Sequence, residues 1–127
     1  MPSHRILIIE DNRQLCEIFQ MSFEDADFEV KVSYNGLNGA VDIVEFKPDA
    51  ILLDIMMPQM SGYEVLQAIR NNTSMQVPII VCSNLSQQAD IDKAFRLGAD
   101  YYVRKSDYDA TELADKVVEL IKELEEK

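Results

Sequence analysis

The sequence has no tryptophan, a single histidine (His4), two cysteines (Cys16 and Cys82), and only four glycines and four prolines among 127 residues. With one histidine and no cysteine near it, a zinc site has almost no ligands to draw on. Two cysteines set far apart inside apolar segments exclude a multi-disulfide scaffold and read as buried, reduced thiols, with a disulfide or metal pairing as the minor alternative. So little glycine and proline, in a chain that is 47% hydrophobic, excludes collagen-like and disordered chains. Long apolar runs are also missing. Residues 50–53 and 77–82 fall far short of the ~20 needed for a membrane span. Residues 6–9 are too short for a secretory signal and run straight into Glu10 and Asp11. The expected location is the cytoplasm, where thiols stay reduced.

Basic residues are scarce as well. Twelve Lys and Arg face twenty-three Asp and Glu, a formal net charge of −11. Nucleic acid binding rests largely on cations that neutralise phosphates, so this domain is expected not to bind DNA directly. Free anionic substrates are repelled too unless a cation intervenes.

What the sequence does contain is an alternation of strand-like and helix-like segments. Residues 6–9, 50–53 and 77–82 are continuous aliphatic runs, as strands buried on both faces require. Phe28, Val30 and Val32 alternate with Glu29 and Lys31, which suggests a strand nearer the edge, and residues 101–104 give a fifth. Between them, helical stripes are expected at Leu15, Ile18, Phe19 and Ser22, and at Leu37, Ala40, Val41 and Val44. Further stripes fall at Val65, Leu66 and Ile69 and at Ile91, Ala94 and Phe95. A last one runs through Leu113, Val117, Leu120, Ile121 and Leu124. Ser61 with Glu64 and Asp109 with Glu112 have capping spacing, Pro48 closes the second helix, and Gly98 stops the fourth. Five strand–helix repeats predict an α/β fold, a parallel sheet covered on both sides, in one domain spanning residues 1–127. The charged residues 122–127 are expected to be the solvated tip of the last helix.

In an open parallel sheet, ligands bind beyond the carboxyl ends of the strands. Glu10 and Asp11 end the first strand, Asp54 the third and Ser83 the fourth, and Lys105 follows the fifth. Three carboxylates at one sheet edge repel each other unless something positive neutralises them, and a hard divalent cation such as Mg²⁺ does so with oxygen ligands. A carboxylate held in that way is a competent nucleophile towards phosphorus, with Lys105 and Ser83 placed to meet the charge developing on the phosphoryl oxygens.

The sequence resembles the receiver domains of bacterial two-component response regulators, of which the chemotaxis regulators are one kind, over essentially its whole length. The resemblance rests on Ile6-Leu-Ile-Ile-Glu-Asp-Asn12, on Ala50-Ile-Leu-Leu-Asp-Ile-Met-Met-Pro58 with Met60-Ser-Gly62, and on Gly98-Ala-Asp-Tyr-Tyr-Val-Arg-Lys105. It implies a flavodoxin-like (βα)5 three-layer sandwich with sheet order 2-1-3-4-5. By the same likeness Asp54 accepts a phosphoryl group from a sensor histidine kinase or phosphotransfer protein. Asp11, Asp54 and the Met56 backbone carbonyl ligate Mg²⁺, and Glu10 reaches the ion through water. Lys105 pairs with the phosphoryl oxygens, Ser83 donates to them, and Tyr102 is the aromatic switch. The face made by the fourth helix, fifth strand and fifth helix then controls a downstream protein target or output domain. Catalysis is limited to self-phosphorylation and self-dephosphorylation. If the protein pairs as a homodimer, the final helix and its neighbouring strand are the expected surface.

Some positions depart from the family pattern. Ser106 stands where the family usually has a proline after a cis bond, so the loop either stores the strain of a cis bond or takes another path. Asn84 replaces a small residue. Met56 and Leu85 occupy positions that influence how water reaches the phosphoryl group, and neither can orient it, which implies slow self-dephosphorylation. Three rival functions are open. A metal-dependent phosphohydrolase of the haloacid-dehalogenase type lacks its second acid, because Met56 stands there. A flavin carrier would need a phosphate-cradling first loop, where Glu10-Asp11-Asn12 repels one. A receiver-like scaffold that binds partners without phosphorylation is favoured only by Asn84 and Ser106.

Overall fold

The five strand-like segments form one sheet. In the computed structural model, which describes residues 4–72 and 76–125, these are β1 (His4–Ile9), β2 (Phe28–Ser33), β3 (Ala50–Leu53), β4 (Ile79–Ser83) and β5 (Tyr101–Arg104). The intervening helices are α1 (Arg13–Asp25), α2 (Gly36–Phe46), α3 (Gly62–Asn71), α4 (Gln88–Arg96) and α5 (Ala110–Glu125). All strand pairs are parallel, in the order β2-β1-β3-β4-β5. This is the three-layer arrangement expected of the sequence. Of the charged tip, residues 126–127 lie outside the described residues.

Successive strand residues point to opposite faces and so feed two cores. Ile6, Ile8, Leu52, Ile80 and Val103 pack under α1 and α5, against Phe19, Phe23, Val117 and Ile121. Leu7, Ile9, Ile51, Leu53 and Val81 pack under α2, α3 and α4, against Ile43, Leu66, Ile69 and Ala94. Local signals start the helices where the spacing predicts. Asn12 Oδ1 accepts from the Leu15 N–H, Ser61 and Glu64 form a reciprocal box, and so do Asp109 and Glu112. Gly98 follows α4 at φ 113°, in the left-handed turn expected of it.

Two of the expected stripes need correction. On α2 the expected core residues Leu37, Val41 and Val44 are exposed, and the buried ones are Gly36, Gly39 and Ile43. The face that meets the sheet is chosen by closeness of approach. A Cβ on Gly39 would lie 2.8 Å from Ile9 Cδ1, so the small side of the helix lies against β1 and the large residues are turned outward. On α4 only Ala94 is buried, and Phe95 is 46% exposed.

Candidate functional site

Strands β1, β3, β4 and β5 each bring one polar residue to the carboxyl edge. Glu10 follows β1, Asp54 follows β3, Ser83 ends β4, and Lys105 opens a short 3-10 turn (Lys105–Asp107) directly after β5. Glu10, Asp54 and Ser83 are buried, Lys105 is half-buried and Asp11 is exposed at the rim. Their backbones are fixed by neighbours: the Asp54 N–H donates to the Ile9 carbonyl and the Glu10 N–H to the Ser33 carbonyl.

The carboxylates do converge. Glu10, Asp11 and Asp54 each offer an oxygen within 4.8 Å of the others, a cluster able to hold a metal ion through hard oxygen donors. Lys105 Nζ lies 2.6 Å from Glu10 Oε1 and 3.4 Å from Asp54 Oδ1. The other Glu10 oxygen accepts from the Asn12 N–H at 3.1 Å. Burial, and then the Asp54 charge, push the Glu10 carboxyl up to about 7, against the opposing pull of Lys105. Asp54 is also raised, first by burial, with Lys105 opposing and Asp11 adding repulsion. Burial draws the Lys105 ammonium down, but Glu10 and Asp54 more than offset this and leave its pKa above the ordinary value. The site thus sets three acids beside one ammonium, and the two buried acids ionise less readily than ordinary carboxyls.

Lys105 reaches this position without a cis peptide. No cis bond occurs among the described residues, and the 3-10 turn carries the chain past Ser106. The loop takes the other path left open by the sequence.

Three features escaped the sequence reading. Leu85 is gripped from two sides: its N–H donates to Ser83 Oγ at 3.1 Å, and its carbonyl accepts from Tyr102 Oη at 2.7 Å. No sequence signal marks a residue that acts through its backbone. Gly62 is a second: a Cβ there would lie 2.1 Å from the Asp54 carbonyl oxygen, so the start of α3 fits beneath Asp54 only as glycine. The third is Cys16, whose Sγ donates to the Glu10 carbonyl at 3.3 Å.

The family model for the response regulator receiver domain matches residues 6–118, which include every residue of this constellation. The chain belongs to the response regulator receiver family. Among curated relatives, this receiver domain is 31% identical over 119 residues to the DNA-binding dual master transcriptional regulator RpaA of Synechocystis, covering 93% of the chain and 49% of that protein. It is 38% identical over 101 residues to the uncharacterized transcriptional regulatory protein YclJ of Bacillus subtilis, covering 80% of the chain and 44% of the relative. The chain thus spans about half the length of the curated relatives it matches. Among solved structures, the response regulator domain of Thermotoga maritima CheB superposes with a TM-score of 0.83 at 25% identity, over 94% of each chain. The Francisella response regulator 1452 receiver domain gives 0.82 at 24% identity, over 96% of this chain and 99% of that one. No described helix is long and apolar enough to cross a membrane.

Proposed function

We propose that this receiver domain is a phosphoacceptor. Asp54 takes a phosphoryl group from a phosphohistidine on a sensor histidine kinase or phosphotransfer protein, in the presence of Mg²⁺. The phosphorylated form then switches the face made by α4, β5 and α5 to control a downstream protein or output domain. One observation carries this reading: Asp54 is a buried carboxylate with two further carboxylates within 4.8 Å and an ammonium 3.4 Å away.

The donor set fits a hard divalent cation, since it is all oxygen and brings three acids together beside a single lysine. Asp11, Asp54 and the Met56 carbonyl would hold Mg²⁺, with Glu10 acting through water. When bound, the ion supplies charge neutralisation for the carboxylates and for the incoming phosphoryl oxygens. An Asp54 carboxylate oxygen attacks phosphorus in line with the phosphorus–nitrogen bond of the donor. The new phosphorus–oxygen bond forms as the phosphorus–nitrogen bond breaks, and the imidazole leaves with the electron pair. Lys105 is already beside Asp54 and transfers its hydrogen bonds to the phosphoryl oxygens.

The same group drives the switch. It adds roughly −1.5 to −2 charges and three acceptor oxygens. Ser83 now accepts from Leu85; donating its hydroxyl proton to the phosphoryl group draws the 83–85 loop with it. Tyr102 is tied to the same Leu85 and follows, which carries the movement to β5 and α4. Full inversion of a two-state population needs about 5.5 kcal/mol of differential interaction, within reach of several charge-assisted hydrogen bonds.

The test is incubation with Mg²⁺ and acetyl phosphate, followed by intact mass, alongside beryllofluoride titration followed by NMR. The expected result is a metal-dependent phosphoryl adduct and spectral change that vanish in Asp54→Ala. No adduct in the wild type, with Mg²⁺ still bound, would replace this reading with the phosphorylation-independent scaffold.

A further inference from the structure

Helix α4 is thinly rooted in the core and is held from the side by α3. It buries only Ala94, and its N-cap Gln87 makes no side-chain cap. Two residues of α3 reach across to its backbone, one at each end. Tyr63 Oη donates to the Asp90 carbonyl in the first turn at 3.0 Å, and Arg70 Nε donates to the Gly98 carbonyl just past the last turn at 3.0 Å. Tyr63 and Arg70 stand two turns apart on one side of α3, so α3 braces α4 along its length. The start of that brace is fixed to the proposed acceptor. Gly62 is seated beneath Asp54, and its N–H donates to the Ile55 carbonyl at 2.8 Å.

The two ties differ in strength. Arg70 Nη2 also bonds Asp100 Oδ2 at 3.0 Å, and the same oxygen accepts from the Ile79 N–H at the start of β4 at 2.8 Å. The C-terminal end of α4 is thus anchored to the sheet through charge-assisted bonds, which are roughly twice as strong as neutral ones. The first turn has one neutral hydrogen bond from α3, backed by Lys93 Nζ lying 4.3 Å over the Tyr63 ring. The first turn is also where motion arrives. Leu85, bonded to both Ser83 Oγ and Tyr102 Oη, lies three residues before α4 begins at Gln88.

We propose that Tyr63 is a positioning residue that latches the first turn of α4 in its resting place and so sets how readily the domain switches. This rests on the phosphoacceptor reading, in which a shift of residues 83–85 is passed to α4. The first turn then swings away from α3 about the Arg70 anchor at Gly98, and the Tyr63–Asp90 bond is what it breaks. The Asp90 carbonyl keeps its partner within the helix, so the break leaves no orphaned acceptor. Apparent affinity for a phosphoryl mimic scales with the fraction of molecules already competent, so loosening the latch tightens binding of the mimic.

NMR relaxation dispersion on the free chain, which reads microsecond-to-millisecond exchange, tests the latch without phosphoryl chemistry. In Tyr63→Phe, which keeps the ring beneath Lys93, residues 86–93 are expected to visit their minor state about fivefold more than in wild type, the scale of one hydrogen bond. Residues 97–99, at the Arg70 anchor, show no added exchange. Lys93→Gln, changed at an exposed position, gives a smaller rise in the same segment. With Mg²⁺ present, Tyr63→Phe is expected to bind beryllofluoride about fivefold more tightly than wild type. A contact that only stabilises the fold would leave that affinity alone. Unchanged exchange at 86–93, or added exchange that spreads equally to 97–99, overturns the proposal. So does beryllofluoride binding that is unaltered or weaker in Tyr63→Phe. A wild type with no beryllofluoride response removes the phosphoacceptor reading instead, and exchange at 86–93 then decides by itself whether Tyr63 holds the helix.

Discussion

Lys105 is bonded more closely to Glu10 than to Asp54, at 2.6 Å against 3.4 Å. The ammonium thus stands among the carboxylates and leans on the residue that is not the proposed acceptor. Because both partners are buried, removing the cation strands charge in a poorly solvated place. Lys105→Met is expected to destabilise the metal-free domain by about 3 kcal/mol, measured by urea unfolding in EDTA. Added Mg²⁺ should restore much of that loss, while the conformational response to beryllofluoride should remain absent. Full stability in EDTA would show that the ion pair is not what holds these acids together.

The raised Glu10 carboxyl gives metal-free stability a definite pH dependence. Its pKa is about 7 in the fold against 4.5 for an unperturbed glutamate, so between these values the folded chain holds a proton that the unfolded chain has released. Stability from this group is full below pH 4.5 and is lost as pH rises through about 7, by a few kcal/mol at most. In EDTA, wild type is expected to lose more stability than Glu10→Gln between pH 5 and about pH 8. Identical slopes would remove Glu10 as the cause.

Gly62 carries a steric prediction. Its missing side chain would sit 2.1 Å from the Asp54 carbonyl oxygen and 2.6 Å from the Ile55 Cα. Gly62→Ala must push α3 away from β3 and displace Asp54. We expect a loss on the order of 3 kcal/mol, together with weakened Mg²⁺ binding read by spectroscopic titration. A variant of native stability would mean that the loop re-forms around the methyl group.

Phosphoryl lifetime depends on whether water is oriented for attack. Met56 is exposed beside Asp54 and Leu85 lies half-buried after Ser83, and neither side chain donates or accepts a useful hydrogen bond. Asp54 phosphate is therefore expected to hydrolyse slowly. Met56→Asn or Leu85→Glu should shorten its lifetime roughly tenfold or more, the scale of about 1.4 kcal/mol off the barrier. Unchanged decay in both variants would place the control of water elsewhere.

The thiols should be silent. Burial pushes both Cys16 and Cys82 up to about 12, so at neutral pH they are protonated as well as inaccessible. Ellman's reagent is expected to find no reactive thiol in the native protein and two in denaturant. Rapid modification of either in the native state would contradict the packing around Glu10 and β4.

The linear order of residues determined the architecture, because it depends on local rules. Aliphatic runs long enough for strands, separated by capped helical periods, permit few right-handed parallel arrangements. It also determined which acids and which lysine stand at the carboxyl edge, since each follows a strand directly. Which residues of α2 face inward was not legible. Side-chain size suggested Leu37, Val41 and Val44, whereas the buried face was chosen by how closely Gly39 can approach Ile9. The preference of Lys105 for Glu10, the trans path past Ser106 and the double grip on Leu85 were decided only by the tertiary structure. Each depends on the distance between atoms from different strands or loops, or on backbone groups that every residue carries alike, and neither leaves a mark in the sequence.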